Sequence, residues 1–287
     1  MILTRSITEL RENEHSWRRA GESIGFVPTM GNLHTGHMAL IMQARAECNR
    51  VVSSIFVNPS QFGESEDLSN YPRSPKEDEA LLEPHCDLLF LPQVETIYPG
   101  GVCLTNINIP GYTSELCGAN RPGHFVGVLT VVNLLFNLTQ PDRAYFGLKD
   151  YQQYRLIQRM AADLHCPVEI IGVDTGRDDD GLALSSRNQY LSREERAKAP
   201  LLYQTLVRTV EKLDELDEAT LLASHRQVCA QASEQLTRAG FRVDYFTLRD
   251  SDTLQPPTPT SVSCRLLAAA WLGKARLIDN ISLKESK

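Results

Sequence analysis

From residue 20 to about 175, short β-branched runs alternate with helical patterns. Strands separated by helices return to one sheet in one direction, so the expected fold is α/β with a doubly wound parallel sheet. Ile24-Gly-Phe-Val27 reads as a strand and His37 to Glu47 as the helix after it. Val51-Val-Ser-Ser-Ile-Phe-Val57 is a continuous apolar run, the pattern of a strand covered on both faces. Leu88 to Leu91, Arg143 to Phe146 and Val168 to Val173 read as further strands. Helices are expected over His124 to Leu138 and Asp150 to Leu164. Ser74-Pro75-Lys76-Glu77 is a helix start, with Ser as N-cap, Pro in the first position and Glu three after the cap. The longest apolar stretch, Val126 to Leu138, is short and carries Asn133 and Asn137, so it reads as a buried helix rather than a membrane span.

After about residue 176 the pattern changes. Ser192-Arg-Glu-Glu195 is a second capping box, followed by helical segments over about 192–212 and 217–239. Arg242 to Leu248, Cys264 to Leu272 and Ala275 to Leu283 read as strands, with Gly273-Lys274 as a hairpin turn. The chain is therefore expected to divide into an α/β domain over 1–178 and a smaller α+β domain over 179–287. Lys plus Arg is 29 and Asp plus Glu 36, a net charge of −7 that argues against a general nucleic-acid binder. The seven cysteines are scattered, without a Cys-x-x-Cys pair, which suits reduced thiols in the cytoplasm. The N-terminus lacks a signal-peptide pattern.

Ligands of such sheets bind beyond the carboxyl ends of the strands, and five segments there carry chemistry. In Pro28-Thr-Met-Gly-Asn-Leu-His34-Thr-Gly36-His37, two histidines share one face at a helix start, where amide N–H groups and the helix dipole favour an anion. Two ordinary polar residues of a turn would look the same, and a zinc site lacks a third ligand at recognisable spacing. Asn58 and Gln61 follow a buried strand and suit a hydroxy acid, or form a polar turn. Arg121 and His124 lie in a Gly/Pro loop as candidate anion ligands, or as a solvated Arg and a capping His. Lys149, at a helix entrance, can neutralise developing phosphate charge; Asp150 can contact a ribose or simply cap the helix, with Gln153 on the same face. Leu184-Ser185-Ser186-Arg187 can clamp a triphosphate or be an exposed linker, and Arg177-Asp-Asp-Asp180 reads as a solvated turn. Glu77 and Asp78 are among the acidic candidates for a divalent cation, and the metal ligands stay undetermined.

His34-Thr-Gly-His37 in a strand–helix position matches the His-x-Gly-His signature of adenylyl-transferring nucleotidyltransferases. Taken in order, the five segments and the closing Ala270-Trp-Leu-Gly and Ala275-Arg-Leu-Ile-Asp-Asn280 resemble the pantothenate synthetase (pantoate–β-alanine ligase) family over nearly the whole chain. The resemblance implies a Rossmann-like N-terminal domain, a C-terminal lid domain and a homodimer. It implies ATP, with Mg²⁺, converting pantoate to pantoyl adenylate, whose acyl carbon the amine of β-alanine then attacks. Carried over by position, Met30, Gly31, Asn32, Leu33, His34, Thr35, Gly36 and His37 contact ATP, and His37 is the proton donor. Gly147, Leu148, Lys149, Asp150, Gly176, Leu184, Ser185, Ser186 and Arg187 line the nucleotide. Gln61 and Gln153 hold pantoate, and Gln61 also lies near β-alanine. Leu148 stands where the family often has a polar residue, and Thr175-Gly176 where it is more apolar. A transferase joining a nucleotide to a phosphorylated acceptor shares His-x-Gly-His but does not need Gln61 and Gln153. A non-enzymatic nucleotide-binding module does not need His34, His37, Lys149 and Arg187 together.

Overall fold

The computed structural model describes residues 1–63, 68, 71–101 and 103–284. Its contacts divide the chain into two units. The first comprises 1–148 and 152–174, the second 149–151 and 175–287.

The first unit is built on six parallel strands: β1 (Ile2–Thr4), β2 (Ile24–Thr29), β3 (Arg50–Ile55), β4 (Leu88–Phe90), β5 (Arg143–Gly147) and β6 (Glu169–Val173). Their order across the sheet is β1-β4-β3-β2-β5-β6. The chain winds outward from β2 to β4, then resumes on the other side with β5. The winding direction therefore reverses between β2 and β5, where an α/β sheet opens its ligand crevice. Pro28, which has no N–H for a ladder, sits where pairing of β2 with β5 has already ended after Phe26. The helices are α1 (Ile7–Arg19), α2 (Thr35–Glu47), α3 (Pro75–Leu82), the single turns α4 (Val94–Ile97) and α5 (Cys117–Asn120), α6 (His124–Thr139) and α7 (Tyr151–Asp163). Ile41 and Ala44 of α2 are fully buried with Val27 and Val51 in one apolar cluster.

Strand β1 and helix α1 lie before residue 20, where the alternation gave no signal. Helix α1 packs on α6 and buries Glu14 to 3 % exposure, its Oε1 without a hydrogen-bond partner among the described residues. Burial pushes the Glu14 carboxyl up to about 9, with Arg18 and Arg11 pulling the other way. The folded state thus holds a proton that the unfolded chain releases above the ordinary carboxylate range. Stability is full below that range and declines as pH rises toward 9, by about 1.4 kcal/mol per pH unit. Glu14→Gln is expected to be more stable than the parent at pH 8, an advantage that shrinks to nothing toward pH 4.5. Urea midpoints at the two pH values check this.

Ser74 occupies the N-cap of α3 with Pro75 behind it, but no capping box forms there. The Ser74 hydroxyl donates to Asp78 Oδ1 at 3.0 Å instead.

The second unit packs α8 (Arg193–Lys198), α9 (Leu201–Asp214) and α10 (Glu218–Arg238) with an antiparallel sheet of β7 (Arg242–Asp250), β8 (Cys264–Leu272) and β9 (Ala275–Ser282). The capping box at Ser192 and Glu195 is formed. The single helix expected over 192–212 is two, because Pro200, which cannot donate to an intrahelical bond, opens the second. Leu202, Leu206 and Leu213 of α9 and Leu236 of α10 meet Leu248, Leu266, Ala268 and Leu277 of the sheet in one core. Among the described residues no helix is long and apolar enough to cross a membrane.

Candidate functional site

The loop leaving β2 is held from both ends. Thr29 Oγ1 donates to Ser54 O at 2.9 Å and accepts the Gly31 N–H at 3.2 Å. Gly31 (φ +80°) and Asn32 (φ +52°) are both left-handed, which turns their successors' amides inward. The carboxylate of Asp78, 1 % exposed, accepts from Asn32 N and Leu33 N, each at 2.8 Å. Asp78 is therefore a buried anchor for this loop, its carboxylate accepting two amides and the Ser74 hydroxyl.

His34 is the N-cap of α2. Its Nδ1 accepts the Gly36 N–H at 3.2 Å, and His37 Nδ1 accepts the His34 N–H at 3.3 Å. The His37 N–H itself bonds His34 O at 2.8 Å. The Gly36 and His37 amides are thus taken within the loop. An Nδ1 that accepts carries no proton, so each neutral imidazole bears its hydrogen on Nε2. The two rings lie 4.1 Å apart. In that tautomer both Nε2–H groups lie at the N-terminal, positive end of the α2 dipole. Thr35 and Gly36 form its first helical positions.

Beyond β3, Pro59–Gln61 form a 3₁₀ turn. Gln61 is 8 % exposed, and its Nε2 lies 3.1 Å from Met30 Sδ, which brings the ends of β2 and β3 together. Asn58, expected beside the ligand, is 1 % exposed and committed to the protein: its Nδ2 donates to Gln61 Oε1 and to Gly127 O, each at 3.1 Å. Helix α6 runs so close to this turn that a Cβ at Gly127 would fall 2.4 Å from Ser60 O. Arg121 and His124 order the same turn. Arginine only donates, so its Nη1, 2.8 Å from His124 Nε2, makes that nitrogen the acceptor. His124 then donates from Nδ1 to Gln61 O at 2.9 Å.

Gly147 ends β5, and Leu148, Lys149 and Asp150 form a 3₁₀ turn leading directly into α7, so Asp150 is not a simple N-cap. The Leu148 side chain packs on β6: a Cβ at Gly172 would lie 2.6 Å from its Cδ2. An apolar residue at position 148 is thereby accounted for. On α7, Gln152 and Gln153 diverge. Gln152 holds the preceding loop through Cys117 N, Tyr112 O and Glu115 O. Gln153 is half-buried and makes no hydrogen bond to Gln61.

In the second unit, Lys149 Nζ lies 2.9 Å from Asp150 Oδ2, and Lys149 O accepts from Asn280 Nδ2 at 3.0 Å. Arg265 Nη1 holds Asn280 Oδ1 at 2.5 Å, and its guanidinium covers the Tyr151 ring at 4.1 Å. Gly176 O accepts the Leu184 N–H at 2.9 Å, and Ser185 caps the 3₁₀ turn Ser186–Tyr190 by accepting from Arg187 N at 3.2 Å. Arg187 forms no ion pair with a described residue. Arg177 is not part of a solvated turn. It forms a bidentate pair at 2.6 and 2.9 Å with Asp279, which is 3 % exposed, and stacks 3.7 Å over Tyr203. Asp178 and Asp180 instead bind Arg196. Among the described residues no three His, Cys, Asp or Glu side chains are grouped as a metal cage. The roles that local motifs did not reveal are those of Asp78, Tyr98, Asn280 and the Arg177–Asp279 pair, because each acts on a segment 40 or more residues away.

The comparisons with known proteins agree along the full length. The family model described as Pantoate-beta-alanine ligase matches residues 2–282. The pantothenate synthetase of Chromohalobacter salexigens is 50% identical over 285 residues, covering 99% of each chain. That of Pseudomonas fluorescens strain SBW25 is 50% identical over 287 residues, again covering 99% of each. The crystal structure of pantothenate synthetase from Thermus thermophilus superposes with a TM-score of 0.87 at 45% identity, covering 99% of both chains. The pantoate-beta-alanine ligase of Francisella tularensis, complexed with Beta-gamma ATP and Beta-alanine, gives a TM-score of 0.80 at 34% identity over 100% of this chain and 99% of that one. On sequence and on fold alike, the chain belongs to the pantoate–β-alanine ligase family.

Proposed function

We propose that the chain condenses pantoate with β-alanine in an ATP-dependent reaction that yields pantothenate, AMP and pyrophosphate through a pantoyl adenylate. The observation that carries this reading is the pair of Nε2–H imidazoles at the start of α2, in a family of pantoate–β-alanine ligases. The ATP and β-alanine of the Francisella complex support the same substrates here.

The pantoate carboxylate is itself the nucleophile. It attacks the α-phosphorus and pyrophosphate leaves, so no side-chain nucleophile is required. Charge grows on the non-bridging oxygens, where His34 and His37 donate hydrogen bonds and Lys149 supplies an ammonium. His37 is the proton donor. Gln61 and Gln153 hold pantoate, and Gln61 also faces β-alanine. Nucleotide contacts come from Met30 to His37, from Gly147 to Asp150, and from Gly176 and Leu184 to Arg187. The β-alanine amine then attacks the acyl carbon and AMP departs. Mg²⁺ would enter with ATP and would neutralise charge on its phosphates.

Seven cysteines outside any disulfide support a reducing compartment, the cytoplasm. We read the assembly as a homodimer; a light-scattering mass of twice 32.1 kDa is the expected result, and a single-chain mass would contradict it. The test of the reaction is isotope exchange. With ATP, Mg²⁺ and pantoate but no β-alanine, labelled pyrophosphate enters ATP; no pantoate-dependent exchange defeats the reading. A stable dinucleotide product in place of free AMP would favour nucleotide transfer to an acceptor.

A further inference from the structure

The donor and acceptor arrangement behind Gln61 is over-determined, and its shortest hydrogen bond comes from a tyrosine outside every motif. Tyr98, just after α4, is 2 % exposed, so its hydroxyl does not reach a ligand. That hydroxyl donates to Asn58 Oδ1 at 2.7 Å. Ser60 N and Ser60 Oγ converge on the same oxygen at 3.2 and 2.9 Å. Only a carbonyl oxygen can serve such a set of donors, so the Asn58 amide has one orientation. Its NH₂ then faces Gln61 Oε1 and Gly127 O, both at 3.1 Å. With Oε1 engaged by a donor, the Gln61 amide is also fixed, and its Nε2 points to Met30 Sδ at 3.1 Å. A thioether is a weak acceptor, so an oxygen of an incoming carboxylate displaces it at little cost.

We infer that Tyr98 is a positioning residue that, through Asn58, locks the Gln61 amide so that it offers only N–H donors to the acid substrate. The inference rests on the reading that Gln61 holds pantoate. It makes Gln61 selective for acceptor oxygens, where a freely turning amide would offer donor and acceptor alike. Burial also raises the Tyr98 hydroxyl above its ordinary range, against the pull of Ser60, which keeps the donated proton in place.

Tyr98→Phe tests it, because the ring and its contact with Phe56 at 6.1 Å between centroids remain while the O–H is lost. Steady-state kinetics with pantoate and with ATP varied separately are expected to show KM for pantoate about five- to tenfold higher. KM for ATP should stay within about twofold, with the thermal midpoint close to the parent's. Gln61→Ala in the same assay tests the underlying reading. If Gln61→Ala leaves KM for pantoate unchanged, Gln61 does not hold pantoate. If Gln61→Ala raises KM for pantoate but Tyr98→Phe does not, the positioning role is overturned alone. An equal rise in both KM values for Tyr98→Phe also overturns it, since that marks general damage to the fold.

Discussion

Lys149→Ala is expected to lower pantoate-dependent ATP–pyrophosphate exchange by about three orders of magnitude, roughly 4 kcal/mol of transition-state stabilisation. The attacking carboxylate and the α-phosphate are both anionic, so the barrier contains a large repulsive component that a fixed cation offsets. On the proposed reading that cation is Lys149. Its side chain is only 17% exposed, and Asp150 holds Nζ at 2.9 Å. Its carbonyl is pinned by Asn280, which Arg265 pins in turn. Because the Lys149–Asp150 pair is partly exposed, its loss should cost no more than about 1 kcal/mol of stability. A deep fall in exchange with a nearly unchanged thermal midpoint is therefore the expected signature. Lys149→Arg should recover little, since a planar guanidinium does not reproduce a compact ammonium at the same point. Exchange by Lys149→Ala within tenfold of the parent would remove the lysine from the adenylation step.

The second large effect concerns His37, which has two jobs. Its Nδ1 accepts the His34 N–H and helps to close the start of α2, while its Nε2–H is the proposed donor to the nucleotide. Two substitutions separate these jobs. His37→Asn places an acceptor near the position of Nδ1 and has nothing at Nε2. It should keep the parent's thermal midpoint and lose about 100-fold in exchange rate, the scale of one lost donor to a developing oxyanion. His37→Gln places an amide nitrogen near the position of Nε2 and should retain more activity than His37→Asn while giving up the cap, worth about 1 kcal/mol. Exchange at the parent's rate by His37→Asn would assign His37 to the helix cap alone.

The sheet was legible wherever burial on both faces left a strand without charged residues in its interior, as in Arg50–Ile55 and Ile24–Thr29. Strand β1 was not, because it is three residues long, its first two are exposed, and its pairing with Leu88–Phe90 is made across more than eighty residues. Helix α9 was legible in extent but not in its start, where Pro200 breaks a pattern that looked continuous. In the candidate site, the histidine turn and the turns after β3 and β5 could be read because each is a contiguous segment at a strand end. What holds them could not. Asp78 reaches the histidine turn through amides that any residue at 32 and 33 would present. Asn280 acts on Lys149 through a backbone carbonyl. Such partners leave no mark on the motif that they support. Asn58 and Arg177 show the converse: residue types suited to a ligand or to solvent are taken up by buried protein partners instead.

The central claim is that the acid is activated as an acyl adenylate, and isotope transfer tests it most directly. Pantoate labelled with ¹⁸O in its carboxylate is turned over with ATP, Mg²⁺ and β-alanine, and the AMP is analysed by mass spectrometry. Attack of the carboxylate on the α-phosphorus, followed by attack of the amine on the acyl carbon, leaves one carboxylate oxygen on the phosphorus. The account predicts one ¹⁸O per AMP and unlabelled pyrophosphate. Unlabelled AMP, or label in pyrophosphate or inorganic phosphate, would contradict it.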